Sequence, residues 1–530
     1  MKKILLFAAT AALLSFSTLT NAQAPTLGST ADFALFSSDG AISSTGLSHI
    51  TGHVGTNNGS STNFGNVDGV MHDADGASQA AAADLLLAYS QLDAAIPNFF
   101  PSSLLGNGQS LNPGTYAIGE SASLNNTLIL NGQGSSNSVF IFQIQGAFSS
   151  AANAQVLLTN GALACNVFWK IEGLVDLGTN TIMKGTVVAN NSAIILNSGV
   201  ALEGRALSKI GAVTIAGSTI RIPVGCGSPV LTGPVAPPLN TAACYAIFTR
   251  NGEVTNSGVS TVTGDIGSND GPTTGFEQSN VNGTIHYGPD TSTGQCANDV
   301  SGIYTYLTNL PVDIQLLYPA AFGNDLVLTP HTYLLNAETV MTNAVYLNAQ
   351  DNPDAVFVLK VVGAFSTSTA GSINLINGAQ AKNVYWKIDG AVSINTDTNF
   401  KGTIIGNGAV SIGTNAQLEG RILAITGGIA SFAIDAQMTP GCGELAVTTN
   451  TIAGNTVQFY PNPFTTSLNV SITDNSLNEL MIYNTVGALV MKTSLVQSVT
   501  NIPTNLPSGV YFYKVINSNG LVVTGKLISQ

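Results

Sequence analysis

The chain has 530 residues, of which 44% are apolar and only 8% are charged, and its formal net charge is −13. In a typical soluble protein about a quarter of the residues are charged. The surface of this protein must therefore consist mainly of Ser, Thr, Asn, Gln, Gly and Ala. The few Lys and Arg residues form no basic cluster, which argues against a nucleic-acid partner, because phosphate neutralisation supplies most of that affinity. The length suffices for about two to four domains.

The N-terminus has the pattern of a secretory signal peptide. The basic start "MKK" (1–3) precedes an apolar run (4–14) and a small-residue ending "AQA" (22–24), which predicts removal of residues 1–24. No later apolar run reaches the roughly 18 residues of a membrane-spanning helix. We therefore expect a secreted or cell-surface protein in which disulfides are permitted.

An internal repeat dominates the rest of the chain. The segment "FALFSSDGAISSTGLSHITGHVGTN" (33–57) aligns with "YAIFTRNGEVTNSGVSTVTGDIGSN" (245–269), and "SVFIFQIQGAFSS" (138–150) aligns with "AVFVLKVVGAFST" (355–367). The two offsets are 212 and 217 residues. Such self-similarity indicates two tandem copies, each a complete domain.

The repeat sets the boundaries that we expect. The first copy covers residues 25–227 and the second covers 243–443, followed by a separate C-terminal domain at 444–530. Between the copies, "SPVLTGPVAPPLNTA" (228–242) is rich in proline and is typical of an extended, semi-rigid linker.

Within the first copy, short β-prone segments begin near Val139, Val167, Thr186 and Arg205, at spacings of 28, 19 and 19 residues. This regularity is unlike a sandwich of hairpins and too tight for βαβ units. It predicts a mainly β fold of two tandem parallel β-solenoids, with strands of successive coils about 4.8 Å apart. Their handedness should be right, as for other parallel crossovers. The interior of the coils at 177–207 is predicted to hold Val187, Ile194 and Leu196.

One segment of each copy has the spacing of a helix instead. Residues 76–97 are rich in alanine, stop at a proline, and place five apolar residues at helical spacing, namely Leu85, Leu86, Tyr89, Leu92 and Ile96. The counterpart at 294–311 has Val300, Ile303, Tyr304 and Leu307 on one face. We expect one long helix alongside each solenoid.

The C-terminal region alternates in strand fashion, with turn residues between "FYPNPFTTSLNVSI" (459–472), "ELMIYNTVGALVM" (479–491) and "LPSGVYFYKVINSNGLVVTGKLI" (506–528). This pattern predicts a small antiparallel β-sandwich.

These motifs resemble known families. Residues 27–227 and 243–443 are similar to the microbial ice-binding (antifreeze) proteins, through "FALFSSDGAIS", "NVFWKIEG", "GTVVAN", "LEGRAL", the ending "PVGCG" and their counterparts in the second copy. The resemblance implies a discontinuous β-solenoid with an adjacent helix, and ice as the partner. The usual Asp of the family's first turn is Asp265 in the second copy but His53 in the first.

The C-terminal domain resembles the type IX secretion sorting domain, through "YPNPF" (460–464), "IYNTVG" (482–487) and "LPSGVYFYKV" (506–515). This resemblance implies the type IX secretion machinery as a partner, and release from the cell or attachment to surface lipopolysaccharide.

In the ice-binding family the binding face carries loosely patterned Thr, Ser, Asn, Ala and Gly residues on one side of the solenoid. A rigid flat surface with few charges suits this task, because stiff Thr rotamers lower the ordering cost of binding. The resemblance gives these candidates: Ser149, Ser150, Ala152, Thr179, Thr181, Ser198, Ala201, Ser218 and Thr219 in the first copy, and Thr367, Thr369, Ser372, Thr396, Thr398, Thr414 and Ala416 in the second. The alternative is that these residues are merely solvated β-positions, as on any solenoid, with no role in ice binding.

Residues suited to catalysis are scarce. His72 and His286 occupy matching positions in "GVMHD" and "GTIHY", but neither has a second His or Cys at ligand spacing. A structural or surface role is favoured for both. With no nucleophile elbow or phosphate loop, we expect neither an enzyme nor a bound cofactor or metal.

The five cysteines suit structural bridges rather than redox chemistry, because no C-x-x-C motif occurs. Cys165 and Cys226 flank the last coils of the first copy and are candidates to close it. In the second copy Cys244 has two candidate partners, Cys296 and Cys442.

The main alternative function is a surface adhesin or carbohydrate-binding module that uses the same flat faces. Exposed aromatic residues would favour sugar binding, but Trp169 and Trp386 lie within apolar segments and are expected in the core. A monomer is expected in either case.

Overall fold

The structure is a computed structural model that describes residues 22–227 and 230–440, and 450–452, 455–460, 462–464, 466–472, 477–495, 499–517 and 522–529 of the C-terminal region. Most of the predicted signal peptide therefore lies outside the described residues, and so do residues 228–229 of the predicted linker. The chain divides into two compact units, Met1–Ala236 with Tyr306–Lys401 and Pro237–Thr305 with Gly402–Gln530.

The first copy consists of short strands that pair in parallel in two sheets of 13 and 8 strands. The larger sheet contains Phe33–Ser37, His49–Thr51, His53–Thr56, Met71–Asp73, Ser110–Leu111, Gly114–Ile118, Thr127–Asn131, Phe140–Ile144, Gln155–Thr159, Val167–Ile171, Ile182–Ala189, Ala201–Ser208 and Thr219–Arg221. The smaller sheet contains Ile42–Thr45, Ser61–Thr62, Leu104–Gly106, Ala122–Asn125, Phe148–Ser150, Val175–Leu177, Ile194–Leu196 and Val213–Ala216.

Successive coils of the first copy stack in register. Val187 pairs with Trp169 on one side and with Ala206 on the other, as the sequence spacing predicts for a solenoid. Val187, Ile194 and Leu196 are buried, which confirms their predicted interior position. Alternate residues of each short strand point inward, so the core is a column of aliphatic and aromatic side chains.

Glycine is required where the long strand Ile182–Ala189 bends. Gly185 has a φ of +102°, and a Cβ there would lie 2.4 Å from the carbonyl oxygen of Val167. A Cβ on Gly204, one coil later, would lie 1.9 Å from the carbonyl oxygen of Gly185. The two glycines thus let neighbouring coils approach at the same bend.

The predicted long helices are present as Gly76–Ala94 and Thr291–Asn309, each of 19 residues. The first begins at an Asp75 cap whose Oδ1 accepts the Ser78 N–H at 2.8 Å. Leu85 and Leu92 pack with Ile141 and Phe168 of the larger sheet, so this helix covers one side of the solenoid.

The predicted face of the first helix needs a correction. Leu86 and Ile96 are exposed, and Tyr89 is half-buried. The buried face is made by Ala81, Leu85, Ala88 and Leu92, because a residue directly after a buried one is rotated by about 100° around the helix axis. In the second helix Val300, Ile303 and Leu307 are buried as predicted.

The second copy also has two parallel sheets, of 15 and 7 strands. The larger contains Tyr245–Thr249, Thr261–Thr263, Asp265–Ser268, Val281–Asn282, Ile285–His286, Ile314–Leu316, Leu326–Leu328, Thr332–Leu335, Ala344–Asn348, Phe357–Val361, Ser372–Ile376, Val384–Ile388, Asn399–Gly406, Gln417–Ala424 and Asp435–Gln437. The smaller contains Val254–Ser257, Thr273–Thr274, Thr339–Met341, Phe365–Thr367, Val392–Ile394, Val410–Ile412 and Ile429–Phe432.

Short 3-10 turns connect several of these strands. They are Gly28–Asp32, Ala164–Asn166, Asn240–Cys244, Gln278–Asn280, Pro319–Ala321 and Ala381–Asn383. The described part of the linker is held by the second copy, since the Thr232 carbonyl oxygen accepts the Val356 N–H at 2.9 Å and the Leu231 carbonyl oxygen accepts the Asn352 amide at 3.0 Å.

The C-terminal region forms two antiparallel sheets of four strands each, as the alternating pattern predicts. One contains Asn450–Ile452, Asn455–Tyr460, Ser467–Ile472 and Val499–Pro503, and the other contains Leu477–Asn484, Leu489–Ser494, Gly509–Asn517 and Val522–Ser529. Phe459 and Tyr513 pack with ring centroids 4.0 Å apart in their shared core.

The cysteines differ from expectation in the second copy. The first copy contains a disulfide between Cys165 and Cys226. In the second copy Cys296 is free and buried, while Cys244 is disulfide-bonded, so the candidate bridge between these two residues is wrong. Cys296 faces the apolar side of the helix, where a thiol acts as a small hydrophobic group. Cys442, the competing partner, lies outside the described residues.

Candidate functional site

The second copy has a repeated tight turn that presents a threonine. Thr342, Thr369 and Thr396 each precede a residue with a left-handed backbone, at φ of 58°, 56° and 59°. The Ala370 N–H donates to the Thr396 carbonyl oxygen at 2.9 Å, which stacks one turn on the next. We name Thr342, Thr369 and Thr396 the turn row. In the other compact unit Thr414 precedes Asn415, at φ of 57°, in the same way.

Beside the turn row, the smaller sheet of the second copy presents a line of small outward side chains. In the unit that contains 306–401, Val340 is in register with Ser366, which is in register with Ser393. The residues that flank Ser393, Val392 and Ile394, are each 2% exposed. Inward aliphatic residues therefore fix the strand and leave only small groups outside.

The other compact unit has the same kind of line. Thr255 is in register with Thr274 on one side and with Ala430 on the other, and Ala430 is in register with Ser411. We name Val340, Ser366 and Ser393 the charge-free row, and Thr274, Thr255, Ala430 and Ser411 form the corresponding line of the other unit. None of the seven carries a charge or a flexible side chain. Their hydration is thus free of the strong ordering that an ionised group imposes.

The equivalent row of the first copy is less uniform. Its members are Leu104, Ser123, Ser149, Asp176, Ile195, Thr214, Ser43 and Thr62. Asp176 accepts a hydrogen bond from the Asn197 amide at 2.7 Å, which places an acidic side chain in the middle of the row. The second copy therefore offers the better surface for an uncharged lattice.

Charges of the first copy also lie on its larger sheet. Glu203 accepts from Lys184 at 2.7 Å and from Arg221 at 2.9 Å, and the three residues lie side by side in register. Burial acts to raise the pKa of Glu203, but hydrogen bonds from these two cations bring the pKa below its ordinary value. Glu203 is therefore ionised at neutral pH, and this face differs in character from the charge-free row.

The predicted ice-facing residues divide into three groups by exposure. The exposed ones are Ser149, Ala152, Thr179, Ser198, Thr219, Thr369, Thr396 and Thr414, and the half-buried ones are Ser150, Ala201 and Ser372. The buried ones are Thr181, Ser218, Thr367, Thr398 and Ala416. Because a buried side chain cannot meet an external surface, we leave these five out of the candidate face.

Four of the five buried candidates bond inside the coil corner instead. The hydroxyl groups of Thr367 and Thr398 lie 2.9 Å apart, and the Thr367 hydroxyl accepts the Asn395 N–H at 2.9 Å. In the first copy Ser150 and Thr181 form the matching pair at 2.6 Å. The Ser218 hydroxyl donates to the Ala216 carbonyl oxygen at 3.2 Å. These hydroxyl groups stabilise the turn from below.

The charge-free row was missed at the sequence level. Its signal is the tripeptide "VSI", which occurs at 392–394 and again at 410–412 with the outward serine in its centre. Alternation over only three residues is short for a sequence pattern, but each coil repeats it. Two of the three residues of the turn row, Thr369 and Thr396, were predicted from the sequence, and both are exposed, as is the predicted Thr414 of the other compact unit.

The two matching histidines support helix ends. His72 Nδ1 lies 2.7 Å from Asp75 Oδ2, and His286 Nδ1 lies 2.5 Å from Asp290 Oδ2. Both aspartates accept the backbone N–H of the first helical turn. Within the described part of the chain, no group of three His, Cys, Asp or Glu residues is arranged to hold a metal ion.

His53 accepts a backbone hydrogen bond at the position where the second copy has Asp265. Its Nδ1 accepts the Val70 N–H at 3.0 Å, as Asp265 Oδ1 accepts the Thr284 N–H at 2.8 Å in the second copy. The first-turn corner is thus closed in both copies. Trp169 and Trp386 are fully buried, so neither is a platform for stacking on a sugar.

Parallel coils that place small, uncharged residues side by side in register define the class of β-solenoid proteins with a repeated surface. Residues 36–221 and 248–437 match the family described as ice-binding-like, and residues 458–530 match the secretion system C-terminal sorting domain. The chain belongs to the ice-binding-like family, and it ends in a type IX sorting domain.

Individual proteins support this assignment. The chain is 37% identical over 193 residues to an ice-binding protein of Nostoc sp. (strain HG1), covering 36% of this chain and 71% of the relative. It is 31% identical over 217 residues to an ice-binding protein of Colwellia sp., covering 37% and 83%. The crystal structure of an ice binding protein from an Antarctic bacterium, Flavobacteriaceae, superposes with a TM-score of 0.79 at 66% identity, covering 79% of this chain and 100% of that chain.

Proposed function

We propose that the chain is a secreted or cell-surface ice-binding protein that adsorbs to ice through the turn row and the charge-free row of its second copy. The observation that carries the proposal is that register pairing places small, uncharged residues side by side on consecutive coils. Membership of the ice-binding-like family supports ice as the partner. The relatives are ice-binding proteins rather than enzymes.

Adsorption to ice requires a surface whose own water layer resembles a lattice. Parallel strands fix neighbouring residues about 4.8 Å apart, and alternate residues of a strand repeat at about twice the 3.3 Å rise. The stacked turns hold the threonines of the turn row at the same repeat. Because β-branched and short side chains lose little freedom on binding, adsorption costs little conformational entropy.

The biological result that we propose is freeze protection or inhibition of ice recrystallisation outside the cell. The signal peptide at 1–24 and the sorting domain at 444–530 support export through the type IX secretion machinery, followed by release or attachment to lipopolysaccharide. In the described residues, neither helix is long and apolar enough to cross a membrane. The solenoid domains are proposed at 25–227 and 243–443, joined by the linker 228–242, in a monomeric protein.

The direct test is thermal hysteresis and crystal shape with purified mature chain, residues 25–530. The expected result is a gap between melting and freezing temperatures and faceted crystals, with no such effect from an equal concentration of heat-unfolded chain. A folded chain that gives round crystals and no hysteresis would exclude the function. Binding of the same sample to polysaccharides in a pull-down would then favour the adhesin alternative.

A further inference from the structure

The two copies treat one equivalent arginine differently. Arg205 and Arg421 are the arginines of "LEGRAL" and "LEGRIL", and both are buried, with 5% and 1% of their surface exposed. The Arg421 guanidinium donates to the Ala243 carbonyl oxygen through Nε and Nη2, and to the Thr439 hydroxyl and carbonyl oxygens through Nη1 and Nη2. Its donors are thus bound from both sides.

Arg205 has a weaker set of partners. Its Nε donates to the Ala31 carbonyl oxygen at 2.8 Å, and its Nη1 contacts the Thr186 hydroxyl at 3.3 Å. Among the described residues Nη2 has no hydrogen-bond partner, and Arg205 forms no ion pair. Pro223 occupies the position of Thr439, three residues before the last cysteine of the copy, and a proline side chain has no hydroxyl to accept these donors.

The free side of the guanidinium faces a cavity of about 460 Å³. The wall is mainly apolar, with Leu27, Phe168, Val224 and Leu231 around the Cys165–Cys226 disulfide. The volume lies within the range of small-molecule sites, which are typically apolar with a few convergent polar groups. An apolar pocket with a single cationic group at its base fits an amphipathic anion.

We propose that Arg205 and this cavity of the first copy bind a small monocarboxylate with an apolar body. The carboxylate accepts two parallel hydrogen bonds from Nη1 and Nη2, which is the geometry that a guanidinium favours, and the apolar body lies against Phe168 and Val224. The site is separate from the charge-free row, which belongs to the second copy.

The charge state of the arginine permits this pairing. Burial lowers the pKa of Arg205 to about 10, with nearby Asp32 acting in the opposite direction, so the guanidinium is cationic at neutral pH. Asp32 itself is exposed at the rim of the cavity. A buried cation without a full set of partners is costly, and a bound carboxylate removes that cost.

The test is calorimetric titration of the mature chain with benzoate, and with benzamide as the neutral molecule of the same shape. Benzoate is expected to bind with one site per chain and at least about tenfold more tightly than benzamide. No saturable binding of benzoate, or equal affinity for the two probes, would overturn the proposal.

Two variants assign the binding to this site. Pro223→Thr supplies the hydroxyl that Arg421 has in the second copy, and is expected to weaken benzoate binding at least about tenfold while the melting temperature is unchanged or higher. Arg205→Met removes the cation and is expected to abolish binding. If either variant is folded and retains wild-type affinity, the site is elsewhere and the proposal is wrong.

Thermal hysteresis separates this proposal from the proposed function. Saturating benzoate and the Pro223→Thr change are expected to leave crystal shaping by the second copy unaltered. Loss of shaping without loss of folding would place the cavity in the ice-binding surface, which contradicts the separate site proposed here.

Discussion

The carboxyl group of Asp68, in the first copy, lies 2.6 Å from the hydroxyl oxygen of Tyr333, in the second copy, and both residues are buried. The Thr329 hydroxyl donates to the other carboxyl oxygen at 2.8 Å. The Tyr333 hydroxyl oxygen is also 2.6 Å from the Thr329 carbonyl oxygen. A hydroxyl group has one proton, so the second of these short contacts needs the carboxyl proton. We infer that Asp68 is protonated in the folded chain.

This inference predicts how stability depends on pH. Burial raises the pKa of Asp68, partly opposed by His331 and by the hydrogen-bond contacts with Tyr333 and Thr329. Between these two pKa values the folded state therefore binds more protons than the unfolded state. The free energy of unfolding falls as the pH rises from the unfolded pKa of about 3.9 to the raised pKa of the folded state. Above the folded pKa the contribution of Asp68 to stability is fully lost. The measurement is urea unfolding between pH 4 and 8.

Asp68→Asn isolates this effect, because the equivalent residue of the second copy is Asn282 in the shared context Val-x-Gly. The amide keeps the shape of the side chain but does not titrate. The difference in unfolding free energy between variant and wild type is expected to shift in favour of the variant as pH rises. A difference that stays constant between pH 4 and 8 would show that Asp68 is ionised when folded.

The buried hydroxyl pair predicts a second result. Thr398→Ala removes the hydroxyl that lies 2.9 Å from the Thr367 hydroxyl and leaves the latter with the Asn395 N–H alone. The loss is expected to cost about 1–3 kcal/mol of unfolding free energy. Thr396→Ala, two residues away and exposed, is the matched control and should stay within about 0.5 kcal/mol of wild type. Equal stability of the two variants in denaturant would contradict the assigned burial.

The disulfide of the first copy predicts a third result. It links residues 61 positions apart, and its loss in Cys165→Ala with Cys226→Ala is expected to cost about 2–4 kcal/mol, because the unfolded chain gains freedom. Cys296→Ala removes a thiol that is in no bridge and is expected to cost less. If calorimetry shows that Cys296→Ala loses as much unfolding free energy as the double variant, the disulfide is not the stabilising element.

The tandem arrangement predicts a fourth result. The surface of the first copy is the weaker one, and on the joined chain it raises the residence of the second copy on ice through effective concentration. An equimolar mixture of separate copies 25–227 and 243–443 is therefore expected to give less thermal hysteresis than the joined chain at the same concentration. If the mixture equals the joined chain, linkage contributes nothing to adsorption.

The solenoid was predictable from the sequence because its coils repeat at near-constant spacing, and register pairs such as Val187 with Trp169 follow from that repeat. The extent of the helices was predictable, but the buried face of the first helix was not, since Leu86 is exposed. The helical period of 3.6 residues places all the apolar residues of the run on one side, whereas the sheet contacts only the narrow stripe that includes Leu85 and Leu92.

The candidate site was harder to predict at the turns. Strand alternation places Thr396 and Thr398 on the same side, because residues two apart share a face. Asp397 between them has a left-handed backbone, at φ of 59°, which breaks the alternation and turns Thr398 inward. Aspartate adopts this conformation only in certain contexts, so no local rule identifies it here. The Asp68 cluster depends on residues more than 260 positions apart in sequence and has no local signal.

The charge-free row of the second copy is the surface that we propose to bind ice. Its most direct test compares thermal hysteresis of Ser393→Lys, in that row, with Asn374→Lys, a half-buried residue of the larger sheet, after circular dichroism has shown that both are folded. Ser393→Lys is expected to abolish hysteresis and crystal shaping, while Asn374→Lys is expected to retain them. Wild-type hysteresis in folded Ser393→Lys protein would show that this row does not bind ice.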